Sequence, residues 1–331
     1  MEAKRAVIRS YVASGLRLEK ALSIAMLSRS TYYYQPNGRK KGQPASKTTV
    51  YRERSIGNEQ VVEKIKDILA PEFIDYGYKR TTAVLKELGY QIGKAKVYRL
   101  MRENHLLNRP KKRSHPIQQF TVYTSPQPDR PFHILEIDIK YVYIHGERKN
   151  GYLITILDTF HRQAYEWGLF RNMKTDRVLE LIIRLVDHHL IPNQIDPSKV
   201  EIIIRTDHGS QFTSIKYQDF MEHLQMERHY IPLATPQMNG HIEGFHSTVQ
   251  QLVCDKYYFQ SFTEATKVFE RFFHTYNYVR IMTPILNKRP AQFLDLWNQG
   301  KIGYLKVNGK NKFFFKEEGT TGGVPSTPKI C

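Results

Sequence analysis

The chain has 331 residues, a formal net charge of +18, and 21 Tyr and 17 Phe among its side chains, which is room for about two domains of ~150 residues each. No run approaches the roughly 18 consecutive apolar residues of a membrane span, and the N-terminus carries Lys and Arg without the apolar core of a signal peptide. Two cysteines, Cys254 and Cys331, form neither a disulfide framework nor a Cys-x-x-Cys pair, so a reducing cytoplasm is the expected compartment.

The charge is uneven. Residues 1–131 hold 26 Lys and Arg against 11 Asp and Glu, for +15, whereas residues 132–331 hold 24 against 21, for +3. A basic half of this kind implies a polyanionic partner, most simply DNA, and hence a place on the nucleoid. A basic surface kept for solubility is the plainer alternative, and +15 is large for that role.

In chain order, residues 1–45 read as a first helical unit. An amphipathic helix ends near Met26 and Ser28 caps the next. That is a helix-turn-helix pattern, with Arg29, Ser30 and Thr31 at the start of a recognition helix, where phosphates or base edges are met. A plain helical hairpin fits the same residues. Residues 39–55 are basic and polar and read as a linker. A second helical unit over 56–108 follows. Asn58 is placed as the cap of a helix over 59–69, a second helix covers 81–88 until Gly89 stops it, and a third covers 94–102. In that third helix Lys94, Lys96, Arg99 and Arg102 are candidates to face phosphates while Val97, Leu100 and Met101 pack inward; a solvated basic face is the alternative. Residues 109–131 carry five prolines and Lys111-Lys112-Arg113, an extended basic linker able to track a DNA backbone.

Beyond the linker, Ile134 to Tyr143 alternates like a strand with Asp138 at its middle, and a carboxylate there is costly unless paired or metal-bound. Glu136, an even number of positions away, shares that strand face and is a supporting candidate. Val200 to Arg205 reads as a buried strand, and Asp207 follows it at an open rim, where ligands of open α/β sheets bind. Pro236 fits a first helical turn, and Ile242, Phe245, Val249 and Leu252 then recur at helical spacing. Glu243 lies beside that stripe, with 35 residues between it and Asp207, and can point across at the earlier acid. Three carboxylates from two strands and a helix can hold two divalent cations, and hard oxygen donors suit Mg²⁺. Each acid alone is equally a solvated or paired carboxylate.

Gln237 and Asn239 are candidate DNA contacts, and Asn239 with Gly240 shapes the helix start. His208, His241 and His246 flank the acids; His246, three residues past Glu243, reads as a surface histidine. His188-His189 reads as a helix end, and the paired cysteines of a zinc site are missing. Ser261 to Glu264 is a capping box opening a helix through Tyr276. The segments 132–260 and 261–299 are taken as a core and its helical extension. The Gly-, Lys- and Thr-rich stretch from 300 to 331 is taken as a tail, largely disordered, above all over 319–331.

Asp138, Asp207 and Glu243 at this spacing resemble the Asp-Asp-Glu core shared by retroviral-type integrases and many transposases. Asp207-His208-Gly209-Ser210-Gln211-Phe212-Thr213 and Pro236-Gln237-Met238-Asn239-Gly240-His241-Ile242-Glu243 match its second and third motifs, and Leu157-Asp158-Thr159-Phe160-His161-Arg162 matches the turn after its second strand. With Tyr276-Asn277-Tyr278-Val279-Arg280 and Arg289-Pro290-Ala291, residues from about 10 to 297 resemble the OrfB-type subunit of insertion-sequence transposases. The resemblance implies an α/β, ribonuclease H-like integrase core preceded by helical helix-turn-helix DNA-binding units. It places strands near 134–143, 151–158, 163–170, 200–205 and 228–231, and helices over 175–189 and 214–225. It implies a polynucleotide transferase that binds terminal inverted repeats, cleaves 3′ ends and transfers strands. Two Mg²⁺ ions per site, with Mn²⁺ as substitute, would be held by Asp138, Asp207 and Glu243. The implied partners are DNA ends, target DNA, an upstream OrfA subunit or fusion, and further copies in a synaptic complex. This chain departs at Leu135, where a Trp is frequent, at Lys140, where a Thr is common, and at Gln250, where many relatives carry a DNA-touching Lys. Two other readings remain open: a DNA-binding regulator with an inactive core, and a nuclease of the same fold without strand transfer.

Overall fold

The computed structural model describes residues 2–34, 46–108, 127–231, 240–307 and 310–316. Its compact units are Met1–Lys47 and Thr48–Cys331. The first unit consists of three short helices, α1 (Glu2–Ala13), α2 (Leu18–Ile24) and α3 (Arg29–Tyr33), around Ile8, Ala21 and Leu22. Met26 lies just past α2 in the left-handed region at φ 49°, so that helix ends two residues earlier than its sequence implies. Ser28 caps α3, its hydroxyl accepting from the Thr31 N–H at 3.2 Å. The buried Arg5 guanidinium donates to the carbonyls of Thr31 and Tyr34, both at 2.6 Å, and ties α1 to α3.

The second unit opens with a hairpin where a linker was expected. Strands β1 (Thr48–Tyr51) and β2 (Arg54–Gly57) pair antiparallel, and β3 (Tyr90–Gln91) adds to β1. Three helices, α4 (Asn58–Leu69), α5 (Tyr78–Glu87) and α6 (Lys94–Glu103), pack around Val61, Ile65, Leu85, Val97, Leu100 and Met101. Asn58 is the first residue of α4 and Gly57 holds the cap position, against the expected Asn58 cap. Residues 109–126, including Lys111, Lys112 and Arg113, lie outside the described residues, as does 317–331, which contains the stretch 319–331 expected to be disordered.

A five-stranded mixed sheet then organises the chain. Its strands are β4 (Ile134–Ile144), β5 (Lys149–Asp158), β6 (Ala164–Phe170), β7 (Ile203–Thr206) and β8 (Glu227–Tyr230), in the order β6-β5-β4-β7-β8. The first three are antiparallel, and β7 joins β4, and β8 joins β7, in parallel. Alternation along β4 sends Leu135 and Ile137 to one face, where they meet α7 (Thr175–Leu185) and α9 (Ile215–His223), past the short α8 (Ser210–Thr213). Val142 and Ile144 go to the other face, where α10 (Gly240–Val249) and α11 (Phe262–His274) cover them. This is the α/β layering expected from the sequence. Helices α7, α10 and α11 each continue into a π-helical turn, at Val186–Leu190, Gln250–Cys254 and Thr275–Val279. The Ser261 cap accepts from the Glu264 N–H at 3.1 Å, but Glu264 returns to the Gln260 N–H at 2.7 Å.

The stretch from 300 was expected to be a tail. Instead β9 (Ile302–Val307) and β10 (Lys310–Phe315) pair antiparallel, and with α12 (Pro290–Asn298) they enclose Phe160, Ile285, Phe293 and Ile302. Burial of these aromatic faces supplies what Gly and Lys content obscured.

The β5–β6 turn is held by a buried carboxylate. Asp158 is fully buried and accepts from the N–H groups of Phe132 at 2.7 Å, Phe160 at 2.6 Å and His161 at 3.2 Å. Burial alone would raise its pKa, but the His161 imidazole and these N–H donors outweigh it and hold the carboxyl below the ordinary range. A depressed folded-state pKa means stability that is present above the unfolded value of 3.8 and lost as pH falls below it. Asp158→Asn is expected to cost about 1–3 kcal/mol at neutral pH and to flatten the acid limb of the stability curve. Urea unfolding at pH 7 and pH 3.5 checks this; an equal effect at both would refute the electrostatic account.

Candidate active site

Strand register brings the first two acids level. The last β4–β7 pair is Glu136 opposite Arg205, so two residues further along each chain Asp138 stands level with Asp207, just past the end of β7. Adjacent strands run about 4.8 Å apart. The Asp138 Oδ1 accepts from the Ile139 N–H at 2.8 Å, and the Asp207 Oδ1 accepts from the Gly209 N–H at 2.8 Å. Asp207 is exposed at the rim, as its place after an apolar strand implied.

Helix α10 supplies the third acid. Ile242, Phe245 and Val249 are buried against the sheet, which leaves Glu243 exposed beside the stripe. Pro236, Gln237 and Asn239 lie outside the described residues; α10 begins at Gly240. Partial burial, and after it the negative charge of Asp138, push the Glu243 carboxyl up.

His246 corrects the sequence reading. Its side chain is only 12 % exposed, and its Nδ1 lies 3.3 Å from the Asp138 Oδ2. The signal was its place three residues after Glu243, one helical turn along the same face. Lys140, Glu243, His246, Ser247 and Gln250 line one open cleft, so two of the positions where this sequence departs from its look-alikes border the same space as the third acid. His208 stacks near Tyr230, at 5.3 Å between ring centres. His188 and His189 lie in the π-helical turn after α7, both against Glu166, at 3.0 and 3.2 Å.

Directly beneath the acids sits a buried charged layer. Glu136 is fully buried; its Oε1 accepts from the Arg205 Nη1 at 3.3 Å and its Oε2 from the Ile242 N–H at 2.8 Å. Burial pushes its pKa up to about 7, against the pull of those two partners. The neighbouring His241 is driven down to about 3 by burial and by Arg162 and Arg205.

Among the described residues no three His, Cys, Asp or Glu side chains are grouped as a metal cage. Asp138 on β4, Asp207 just past β7 and Glu243 on α10 each offer oxygen donors, the kind that suits a hard cation.

The basic candidates are placed unevenly. Arg29 pairs with Glu19 at 3.4 Å on an exposed surface, and the hydroxyls of Ser30 and Thr31 bond that of Ser28 at 3.0 and 2.7 Å. Lys94 and Arg102 are exposed on α6, and Arg99 is half-buried. Lys96 departs from expectation, because its ammonium donates to the Thr48 carbonyl at 2.5 Å and supports the hairpin. Among the described residues no helix is long and apolar enough to cross a membrane.

Comparison with known proteins agrees with this layout. A family model described as an integrase core domain matches residues 128–236, a second integrase core model matches 224–281, and a model of an HTH-like domain matches 57–114. The chain is 25 % identical over 256 residues to the transposase for insertion sequence element IS904 of Lactococcus lactis subsp. lactis (strain IL1403), covering 72 % of this chain and 95 % of that protein. It is 24 % identical over 280 residues to the probable transposase for insertion sequence element IS1353 of Shigella flexneri, covering 81 % of this chain and spanning half the length of that one. Among solved structures, the simian T-cell lymphotropic virus intasome in complex with a PP2A regulatory subunit aligns at 14 % identity and a TM-score of 0.42, covering 70 % of this chain and 74 % of that one.

Proposed function

We propose that this chain, which carries integrase core and HTH-like domains and is similar to insertion-sequence transposases, cleaves and joins DNA at the ends of a mobile element. What supports the proposal is the placement of the acids: Asp138 and Asp207 each lie two residues past the last β4–β7 pair, Glu136 with Arg205, and Glu243 is exposed on α10, whose Ile242 N–H bonds that same Glu136.

In this reading the three carboxylates hold two Mg²⁺ ions, with Mn²⁺ as substitute. When bound, such ions lower the pKa of an attacking water or hydroxyl and stabilise the leaving oxygen of an in-line phosphodiester displacement. The chain's own residues do the rest. Asp138 accepts from the next N–H of its own strand and Asp207 from the Gly209 N–H ahead of α8, which limits the rotation of both. His246 restrains Asp138 through its second oxygen. Lys140, Ser247 and Gln250 offer polar contacts to the DNA backbone beside Glu243. Water attacks the phosphodiester at the element end and breaks its P–O3′ bond, leaving a 3′-OH and a 5′-phosphate; that 3′-OH then attacks a second phosphodiester, forming a new P–O bond as the P–O3′ bond there breaks and its 3′-OH leaves, without a covalent enzyme intermediate.

The helical unit of the first 45 residues and that of 56–108 recognise the terminal inverted repeats, with Arg29, Ser30, Thr31, Lys94, Arg99 and Arg102 as contacts. The basic segment 109–131, with Lys111, Lys112 and Arg113, follows the backbone between them and the core. Gln237 and Asn239 meet the DNA end. An upstream OrfA subunit or fusion and further copies of the chain complete a synaptic complex at the nucleoid.

The test is strand cleavage on oligonucleotides carrying the element ends. Cleavage products with free 3′-OH are expected with Mg²⁺ or Mn²⁺ and none with EDTA, and adding a target duplex is expected to give joined products. Cleavage without joining would make the protein a nuclease. Binding without cleavage under any divalent cation would make it a regulator.

A further inference from the structure

We infer that Glu136 is the positioning residue that holds the three acids of the proposed site in one arrangement, a role that deepens the reading above and rests on it. One buried carboxylate touches every element that carries an acid. It lies on β4 itself, two residues before Asp138. Its Oε1 accepts from Arg205, two residues before Asp207, at 3.3 Å. Its Oε2 accepts from the N–H of Ile242, the residue before Glu243, at 2.8 Å. No other side chain named at the site contacts all three elements.

The contact to Ile242 has a specific physical meaning. The first-turn N–H groups of a helix have no partner within the helix and need an acceptor. Ile242 is the third residue of α10, and its N–H is one of these. Glu136 caps α10 from 106 positions away in sequence. The angle and height at which α10 leaves the sheet, and so where Glu243 stands relative to Asp138, are set by a carboxylate that is itself fully buried. The Arg205 contact does the same for β7 in the strand-to-strand direction. A group that is 0 % exposed does not touch substrate or solvent ions, so its effect on chemistry runs through the acids it places.

The alternative is an ordinary buried ion pair that stabilises the sheet and nothing else. The two differ in what replacement does. A buried pair exchanged for apolar side chains of similar volume leaves stability about unchanged or raised, so the double variant Glu136→Leu with Arg205→Met keeps the fold while removing the cap. Glu136→Gln keeps an acceptor for the Ile242 N–H and removes only the charge.

The experiment is carried out on the full chain, with Mn²⁺ titration followed by water-proton relaxation and with amide hydrogen exchange read at Ile242 and at Ile154 in β5. In the double variant, Mn²⁺ binding is expected to weaken about 10–100-fold, with faster exchange at Ile242, unchanged protection at Ile154 and a melting temperature near wild type. Glu136→Gln is expected to restore protection at Ile242 and most of the Mn²⁺ affinity. Mn²⁺ affinity within twofold of wild type in the folded double variant would overturn the inference. If the wild-type chain binds no Mn²⁺, the metal reading of the three acids falls instead, and the clasp is then decided by Ile242 exchange alone: acceleration in the double variant sustains it and unchanged exchange refutes it.

Discussion

Asp207→Asn is expected to lower strand cleavage on element-end DNA by about a thousandfold or more, a barrier increase of ~4 kcal/mol, with DNA binding unchanged. The amide side chain keeps the size of the carboxylate and can still accept from the Gly209 N–H, so the local turn survives. What it loses is the charge. Partial burial, and after it the charge of Asp138, already push the Glu243 carboxyl up, and carboxylates of this kind gain a cation only while they are anionic. Replacing one donor by a neutral amide therefore removes ion affinity and the attack the ions support together. Asp219→Asn, on the exposed face of α9, is the control and should leave cleavage as it was. Gel resolution of cleaved strands at saturating Mg²⁺ is the measurement. Wild-type cleavage by Asp207→Asn would withdraw the residue from the proposed chemistry, and a loss of binding equal to the loss of cleavage would make it structural.

The elements that carry these acids were legible because their signals are local. An apolar β-branched run followed by an acid marks a strand end, and Ile203–Thr206 followed by Asp207 is what the structure contains. The 3.6-residue recurrence of Ile242, Phe245 and Val249 fixed which side of α10 is buried, and so left Glu243 facing out. The two hairpins were not legible for a matching reason. Thr48–Tyr51 is flanked by polar and basic residues, and its third strand comes from Tyr90–Gln91, so the pairing depends on residues far away in sequence. Ile302–Val307 lacks the clean alternation of a strand, with Gly303 and Lys306 inside it, and it packs against Phe160 and Phe293 from other parts of the chain. Glu136 shows the limit most clearly. Parity along β4 put it on the right face, yet only the fold reveals that Arg205 and the Ile242 N–H meet on its two oxygens.

The interlock between the HTH-like domain and the core was equally hidden, and it carries the second large effect. Arg280→Ala is expected to destabilise the unit by about 3–5 kcal/mol, the range for breaking one side of a buried ion pair. Arg280 is 6 % exposed, and its Nη2 lies 2.6 Å from the Asp75 Oδ1. Its Nη1 donates to the Phe73 carbonyl at 3.1 Å, and the neighbouring Ile281 N–H donates to the Tyr76 hydroxyl at 2.7 Å. Truncation leaves Asp75 with the Arg80 guanidinium 3.5 Å away and the Gln251 amide donating to its Oδ2 at 3.3 Å, and takes a donor from a buried carbonyl. The more exposed pairs at the same seam, Arg271 with Glu72 at 2.8 Å and Arg289 with Glu87 at 3.0 Å, face water and should be worth no more than about 1 kcal/mol each. Arg280→Lys should recover little, because a single ammonium cannot serve the carboxylate and the carbonyl at once. Thermal unfolding separates these cases: Arg280→Ala should lower the midpoint by on the order of 10 °C, Arg289→Ala by a few degrees at most. The functional consequence follows from position. The seam joins residues 72–87, between and along the helices ahead of the core, to residues 271–289, which close it. If the seam holds the helices at a fixed distance from the cleft, loosening it should cost cleavage more than it costs DNA binding, because grip survives while the aim at the scissile phosphate is lost. Equal losses in both, or a midpoint shift no larger than that of Arg289→Ala, would mean that the seam is decoration on two independently folded parts.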